Sequence, residues 1–257
     1  MVPGVLIICH GSRDSSWVTL VEEAVSRLSL KRKLPVEVSF LELVEGRLIQ
    51  NGIDRLEEAG VTDIIVIPLF VSSGSTHVDE IAYALGVKAE PDCDTDLVPF
   101  RVAARIHYGE PADDDPDIAV MLWDKVKGLS LAPEREMVLL VGHGSRHDGF
   151  RQRWEAGMSS LAERVRKLSR LAAADFGLIS LGTVRRRAEH WRKLGYDVLV
   201  APVFLSEGYF TKVVIPDRLK GLDYAYTGDT LLPHPLLPHW IERQVNAMVE
   251  ALEGEQG

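Results

Sequence analysis

The hydrophobic pattern opens with a continuous apolar run over residues 4–9, GVLIIC, which predicts a strand covered on both faces. Trp17, Leu20, Val21, Ala24, Val25 and Leu28 then recur at helical spacing across 16–30. A strand over 35–42, a helix over 46–59, a strand over 63–70 and helices over 78–86 and 116–128 continue the alternation. Strand–helix alternation calls for an α/β fold with parallel sheets and right-handed crossovers. Ligands of such sheets gather at the carboxyl ends of the strands. His10, Glu42 and the stretch Ser72–His77 all fall at or just beyond those ends.

The pattern is written twice. "VLIICHGSRD" (5–14) returns as "VLLVGHGSRHD" (138–148), and "DIIVIPLFVSSG" (63–74) returns as "DVLVAPVFLSEG" (197–208). "DDDPDIAVMLWDKVKGL" (113–129) and "LLPHPLLPHWIERQVNAMVEAL" (231–252) share a proline-containing turn followed by an amphipathic helix. Landmarks at offsets of 133 and 134 point to tandem duplication. The expected division is an N-terminal lobe at 1–127, a linker at 128–136 (GLSLAPERE) and a C-terminal lobe at 137–257. Each lobe is expected to be a parallel sheet flanked by helices, and 257 residues suffice for two cores.

Composition narrows the class. Cys9 and Cys93 stand in no paired spacing, which argues against a disulfide framework and for a reducing cytoplasm. No apolar run approaches a membrane span, and no basic segment precedes the first strand, so a cytoplasmic protein without a membrane partner is expected. A net charge of −9 argues against nonspecific nucleic-acid binding. Residues 1–130 hold 12 basic against 22 acidic side chains, and residues 131–257 hold 17 against 16. The first half therefore favours cations and the second accepts an acidic ligand. The competing reading is charge drift on solvated loops, since the acidic stretches at 90–96 and 113–117 supply much of the imbalance.

Two imidazoles (His10, His77) and a carboxylate (Glu42) at one sheet edge suit a divalent transition metal with coordination positions left open. They equally suit proton removal near neutral pH. Singly, each has a plainer reading: a surface loop histidine, or a glutamate capping a helix near Glu45. Gly11, Ser12 and Arg13 suit an anion, Ser12 as helix cap or donor and Arg13 as a fork for a carboxylate. A plain N-cap beside a surface arginine is the alternative. The chain contains no G-x-x-x-x-G-K-[ST] loop for ATP, no G-x-G-x-x-G after the first strand and no G-x-S-x-G elbow.

"HGSR" after the first strand, "FLE" ending the second and "PLF(V/L)xxGxxH" after the third together resemble the sirohydrochlorin chelatases, in their long two-copy form, over the whole chain. The resemblance implies an ATP-independent class II chelatase fold of two similar lobes with an interlobe cleft. It implies insertion of Co²⁺ or Fe²⁺, with Ni²⁺ also accepted, into sirohydrochlorin in cobalamin or siroheme biosynthesis. The metal is then a substrate, and no cofactor is permanently bound. His10 and His77 match the family's metal-handling histidines and Glu42 their acidic partner. Ser12, Arg13, Ser72, Ser73 and Gly74, with His143, Arg146 and Lys212 of the second copy, are the expected contacts to the carboxylate-rich tetrapyrrole.

In the second copy His143 matches His10, Thr211 stands in the place of His77, and no acid aligns with Glu42. Chemistry is therefore expected in the first copy alone, and a two-copy chain is expected to act as a monomer. Two residues separate Gly74 from His77, and Ala82 occupies a position where the family has proline; the second copy keeps Pro216. His107, expected in the loop after a fourth strand, is a further candidate below His77. Two other classes are a noncatalytic metal or tetrapyrrole carrier and a hydrolase using His10 and Ser12.

Overall fold

The computed structural model describes residues 1–254. Strands β1 (Pro3–Cys9), β2 (Val36–Phe40), β3 (Asp63–Pro68) and β4 (Arg105–Tyr108) form one all-parallel sheet in the order β2-β1-β3-β4. Strands β5 (Glu136–Gly142), β6 (Ala173–Leu178) and β7 (Asp197–Pro202) form a second, in the order β6-β5-β7. The helices are α1 (Ser15–Ser26), α2 (Ile49–Glu58), α3 (Thr76–Ala84), α4 (Pro116–Val126), α5 (Asp148–Ser169), α6 (Val184–Lys193), α7 (Ile215–Leu219) and α8 (Leu236–Gly254). The central strands β1 and β5 pair on both edges, which is why their apolar runs are continuous: Val5–Cys9 and Met137–Val141 are fully buried.

By contact the chain forms two compact units. One takes 1–70, 76–111 and the stretch from 235 onward; the other takes 71–75 and 112–234. This differs from the expected lobes at 1–127 and 137–257 in a specific way. Helix α4 belongs to the second unit, where it packs against α5 and β7, and α8 belongs to the first, against β3 and α1. Each sequence repeat thus ends in a helix whose apolar face is buried on the sheet of the other repeat. Ile118, Met121, Leu122 and Val126 are covered on α4, and Leu237, Trp240, Ile241 and Val245 on α8.

The segment expected to be a linker is tied down. The buried Glu136 carboxylate accepts from Ser130 Oγ at 2.5 Å and from the Leu131 and Ala132 amides at 2.6 and 2.8 Å. Burial pushes this carboxyl up, but the three donors outweigh it and hold it below the ordinary glutamate range. A depressed folded-state value stabilises at pH above the unfolded glutamate's 4.5, and that contribution is lost as pH falls through the folded value. Glu136→Ala is expected to destabilise the protein by about 2–3 kcal/mol at pH 7, because two amides lose a charged acceptor. The deficit shrinks below pH 4.5, and urea unfolding at pH 7 and pH 4 checks both statements.

Candidate active site

The corner at the carboxyl end of β1 is built by backbone first. Past the last paired residues the parallel ladder continues, with Leu41 N–H donating to Cys9 O at 2.9 Å and Glu42 N–H to His10 O at 3.1 Å. This fixes Glu42 beside His10. Gly11 turns the chain away with φ of +110°, and a Cβ there would lie 2.0 Å from the Glu42 carbonyl oxygen, so only glycine fits. Asp14 caps α1 by accepting from Ser16 N–H at 2.9 Å.

Three of the expected side chains meet there. His10 Nε2 stands 3.7 Å from Glu42 Oε1. The His10 and His77 rings are edge to face, with centroids 4.6 Å apart and planes at 71°. His77 comes from the first turn of α3, and the Phe70 ring is tilted toward it with centroids 6.4 Å apart.

The two imidazoles share a feature of their hydrogen bonding. His10 Nδ1 lies 3.1 Å from the Gly11 carbonyl oxygen, which only accepts, so Nδ1 carries the proton in the neutral ring. His77 Nδ1 lies 2.5 Å from Glu80 Oε1, and a carboxylate imposes the same assignment. Each neutral ring therefore keeps its lone pair on Nε2. The hydrogen bond from His77 holds the Glu80 carboxyl below its ordinary range, opposed by partial burial and assisted by Thr95. Glu80 was not foreseen, although His77-x-x-Glu80 on a helix is a spacing that brings side chains together.

Cys9 adjoins His10 in sequence but takes no part. It is fully buried in β1, and burial pushes its thiol far up, so it stays protonated. Among the described residues, no group of three or more His, Cys, Asp or Glu side chains is arranged to hold a metal ion, so His10, His77 and Glu42 do not form a ready three-ligand set. His10, His77 and Glu42 are neighbours in an open arrangement, with Glu42 half-exposed.

Other expected residues fall elsewhere. Ser12 Oγ accepts from the Asp14 amide at 3.0 Å, so it shapes the turn while Asp14 serves as the cap; Arg13 is exposed. Ser72, Ser73 and Gly74 belong to the second unit. There Ser72 Oγ accepts from Gly74 N–H, Ser73 N–H donates to Asp113 at 2.8 Å, and a Cβ on Gly74 would collide with Trp154. His107 is corrected outright. It lies within β4 rather than in a loop, and its Nε2 is 3.2 Å from Asp63 at the amino end of β3, away from the His10 end of the sheet.

The second repeat reproduces the corner's backbone with different side chains. His143 Nδ1 lies 2.9 Å from the Gly144 carbonyl, and Ser180 N–H donates to His143 O at 2.9 Å, so Ser180 stands where Glu42 does. Phe210 sets its edge on His143, with centroids 4.9 Å apart and planes at 85°. The counterpart of His77 is therefore Phe210 and not Thr211, which is buried with its hydroxyl bonded to Gly208. Arg146 donates to the Ser180 carbonyl at 3.0 Å, and Lys212 pairs with Glu207 at 2.9 Å; both side chains are exposed.

Fold and corner define a duplicated, all-parallel α/β protein in which one repeat alone holds a histidine pair and a carboxylate at its strand ends. The chain belongs to the CbiX family, whose sequence model matches residues 4–129 and again 137–248. It is 32% identical over 135 residues to a sirohydrochlorin cobaltochelatase of Methanopyrus kandleri, covering 48% of this chain and 94% of that protein. It is 28% identical over 151 residues to a sirohydrochlorin ferrochelatase of Bacillus subtilis, covering 56% of this chain and 52% of that protein. The structure of SirB from Bacillus subtilis with Fe³⁺ superposes with a TM-score of 0.73 at 19% identity, covering 99% of this chain and 98% of the other. At that identity the superposition establishes a shared fold.

Proposed function

We propose that this protein inserts a divalent metal ion, Co²⁺ or Fe²⁺, into sirohydrochlorin without ATP, and that the corner of the first repeat does the chemistry. The observation that carries the reading is the pair of imidazoles, 4.6 Å between ring centroids, beside Glu42 in a chain of the CbiX family. Metal insertion requires two inner pyrrole nitrogens to lose protons while the ion sheds water. Neutral imidazoles at Nε2 accept those protons or hold the ion in passing, and Glu42 balances the charge that accumulates. An open set is suited to this work, because a closed tetrahedral site of good ligands would retain the ion. Imidazole and carboxylate also bind Ni²⁺ and Zn²⁺, so metal identity follows supply and ring chemistry more than this donor set.

The ion and the macrocycle are substrates in this reading, with no resident cofactor, and the chain acts as a monomer in the cytoplasm. Among the described residues no helix is long and apolar enough to cross a membrane. Arg13, Arg146 and Lys212 are the proposed partners of macrocycle carboxylates, with Ser12 and His143 as further contacts; Ser72, Ser73 and Gly74 are engaged in their own turn and with Asp113, and are not proposed as contacts. The test is anaerobic absorbance of sirohydrochlorin with Co²⁺ or Fe²⁺. Wild type is expected to speed insertion about 10²–10⁴-fold over the enzyme-free rate, the range of positioned proton acceptors. A shifted spectrum on binding without faster insertion of either ion means a carrier.

A further inference from the structure

His77 is the more loosely placed of the two histidines in sequence terms, since it starts a helix, and its orientation depends on what holds Nδ1. Glu80 Oε1 accepts from His77 Nδ1–H at 2.5 Å, and Glu80 Oε2 accepts from Thr95 Oγ1 at 2.8 Å. The Glu80 side chain is largely covered, at 18% exposure against 39% for His77, so the carboxylate lies behind the ring rather than beside it in solvent. Thr95 is fixed by accepting from Leu97 N–H at 3.1 Å, in the segment that follows α3. A chain of hydrogen bonds thus links irregular backbone to the imidazole, with Thr95 and His77 both donating to Glu80.

We infer that Glu80, anchored by Thr95, is a positioning residue that locks His77 in the Nδ1–H tautomer and aims its Nε2 lone pair at the reacting centre. Carboxylates behind a working imidazole fix tautomer and ring orientation in this way. His10 receives the same service from the Gly11 carbonyl, which its own backbone turn supplies. His77 has no such carbonyl and depends on a side chain that can be removed. The second repeat is consistent: where Phe210 replaces the imidazole, the residue three positions on is Val213, and no carboxylate is kept.

The catalytic consequence rests on the chelatase reading, but the tautomer does not, and the experiment separates them. Ring-¹⁵N-labelled full chain, above the histidine titration range, is compared as wild type, Glu80→Ala, Glu80→Gln and Thr95→Val. Wild-type His77 is expected to show a pyrrole-type Nδ1 and a pyridine-type Nε2. Glu80→Ala should bring the other tautomer into the spectrum and raise the Co²⁺ KM by about 10–100-fold, with kcat changing less. Glu80→Gln, whose amide oxygen still accepts from Nδ1, should restore the wild-type tautomer and most of the KM. Thr95→Val should give a smaller shift in the same direction. An unchanged His77 spectrum in a folded Glu80→Ala protein, or a lost tautomer in Glu80→Gln, overturns the inference. If wild type inserts no metal, the chelatase reading fails, and the tautomer spectra still decide the role of Glu80.

Discussion

His10→Ala reduces metal insertion to the enzyme-free rate, whereas His143→Ala leaves it within about a factor of two to three of wild type. The two histidines share a backbone: each follows the central strand of its sheet, each turns on a glycine of positive φ, and each directs Nδ1 to the carbonyl of that glycine. They differ in company. His10 faces a second imidazole and a carboxylate, while His143 faces the phenyl edge of Phe210 and the serine at position 180. A phenyl ring has no lone pair with which to take a proton or ligate a transition-metal ion, so the second corner lacks the groups the reaction needs. Removing His10 deletes a proton acceptor worth about 10²–10⁴ in rate. Removing the exposed His143, a peripheral contact to the macrocycle in this reading and no part of the proton-accepting set, costs about 0.5 kcal/mol, the scale of a surface substitution. Initial rates of Co²⁺ insertion into sirohydrochlorin under anaerobic conditions compare the two variants directly. Should His143→Ala be the inactive one, the chemistry belongs to the second repeat and not to the His10 corner.

Much of this was legible from pattern alone, and the misreadings have physical causes. The continuous run at 4–9 specified a central strand, and its end placed His10, because a buried strand must deliver its next residue to the sheet edge. Periodicity also showed that residues 116–128 and 231–252 have one apolar face each. It could not show which sheet that face would cover, so the exchange of α4 and α8 between units was invisible. Pairing His77 with Thr211 carried the offset of 134 across a loop, whereas the histidine corner keeps 133. Phe210 and Thr211 are successive residues of the π-helical turn Phe210–Val214, so a slip of one position moves to a different face, which is the difference between Phe210 on the His143 ring and the buried Thr211. Thr95 lay in an acidic stretch without periodicity, read as solvated, and its link reaches back 15 positions to Glu80 on α3 across irregular chain that no local pattern encodes.

Gly11→Ala is the substitution that couples fold to chemistry. At φ of +110° an L side chain is strained wherever it sits, and here the added Cβ would meet the Glu42 carbonyl oxygen at 2.0 Å. That oxygen belongs to the backbone held by the Glu42 N–H to His10 O bond, so relief requires the two strand ends to part. The expected cost is about 2–4 kcal/mol, the combined scale of a special-φ position and a backbone collision. Whatever protein remains folded should have His10 and Glu42 displaced and insertion activity reduced well beyond its share of unfolded chain. Gly144→Ala provides the contrast. Its φ of +78° carries strain as well, and its added Cβ would meet the Ser180 hydroxyl at 2.6 Å, the end of a side chain, and Leu178 Cβ at 2.9 Å, which yields only by a backbone shift. A cost of about 1–3 kcal/mol is expected there, with activity per folded molecule unchanged because the collision lies in the second corner. Urea unfolding of both variants, with rates normalised to the folded fraction, tests the pair. Equal loss of specific activity in the two would mean that the first corner's geometry is not what the reaction uses. Loss confined to Gly11→Ala would tie the rate to the spacing of His10 and Glu42 without touching either side chain.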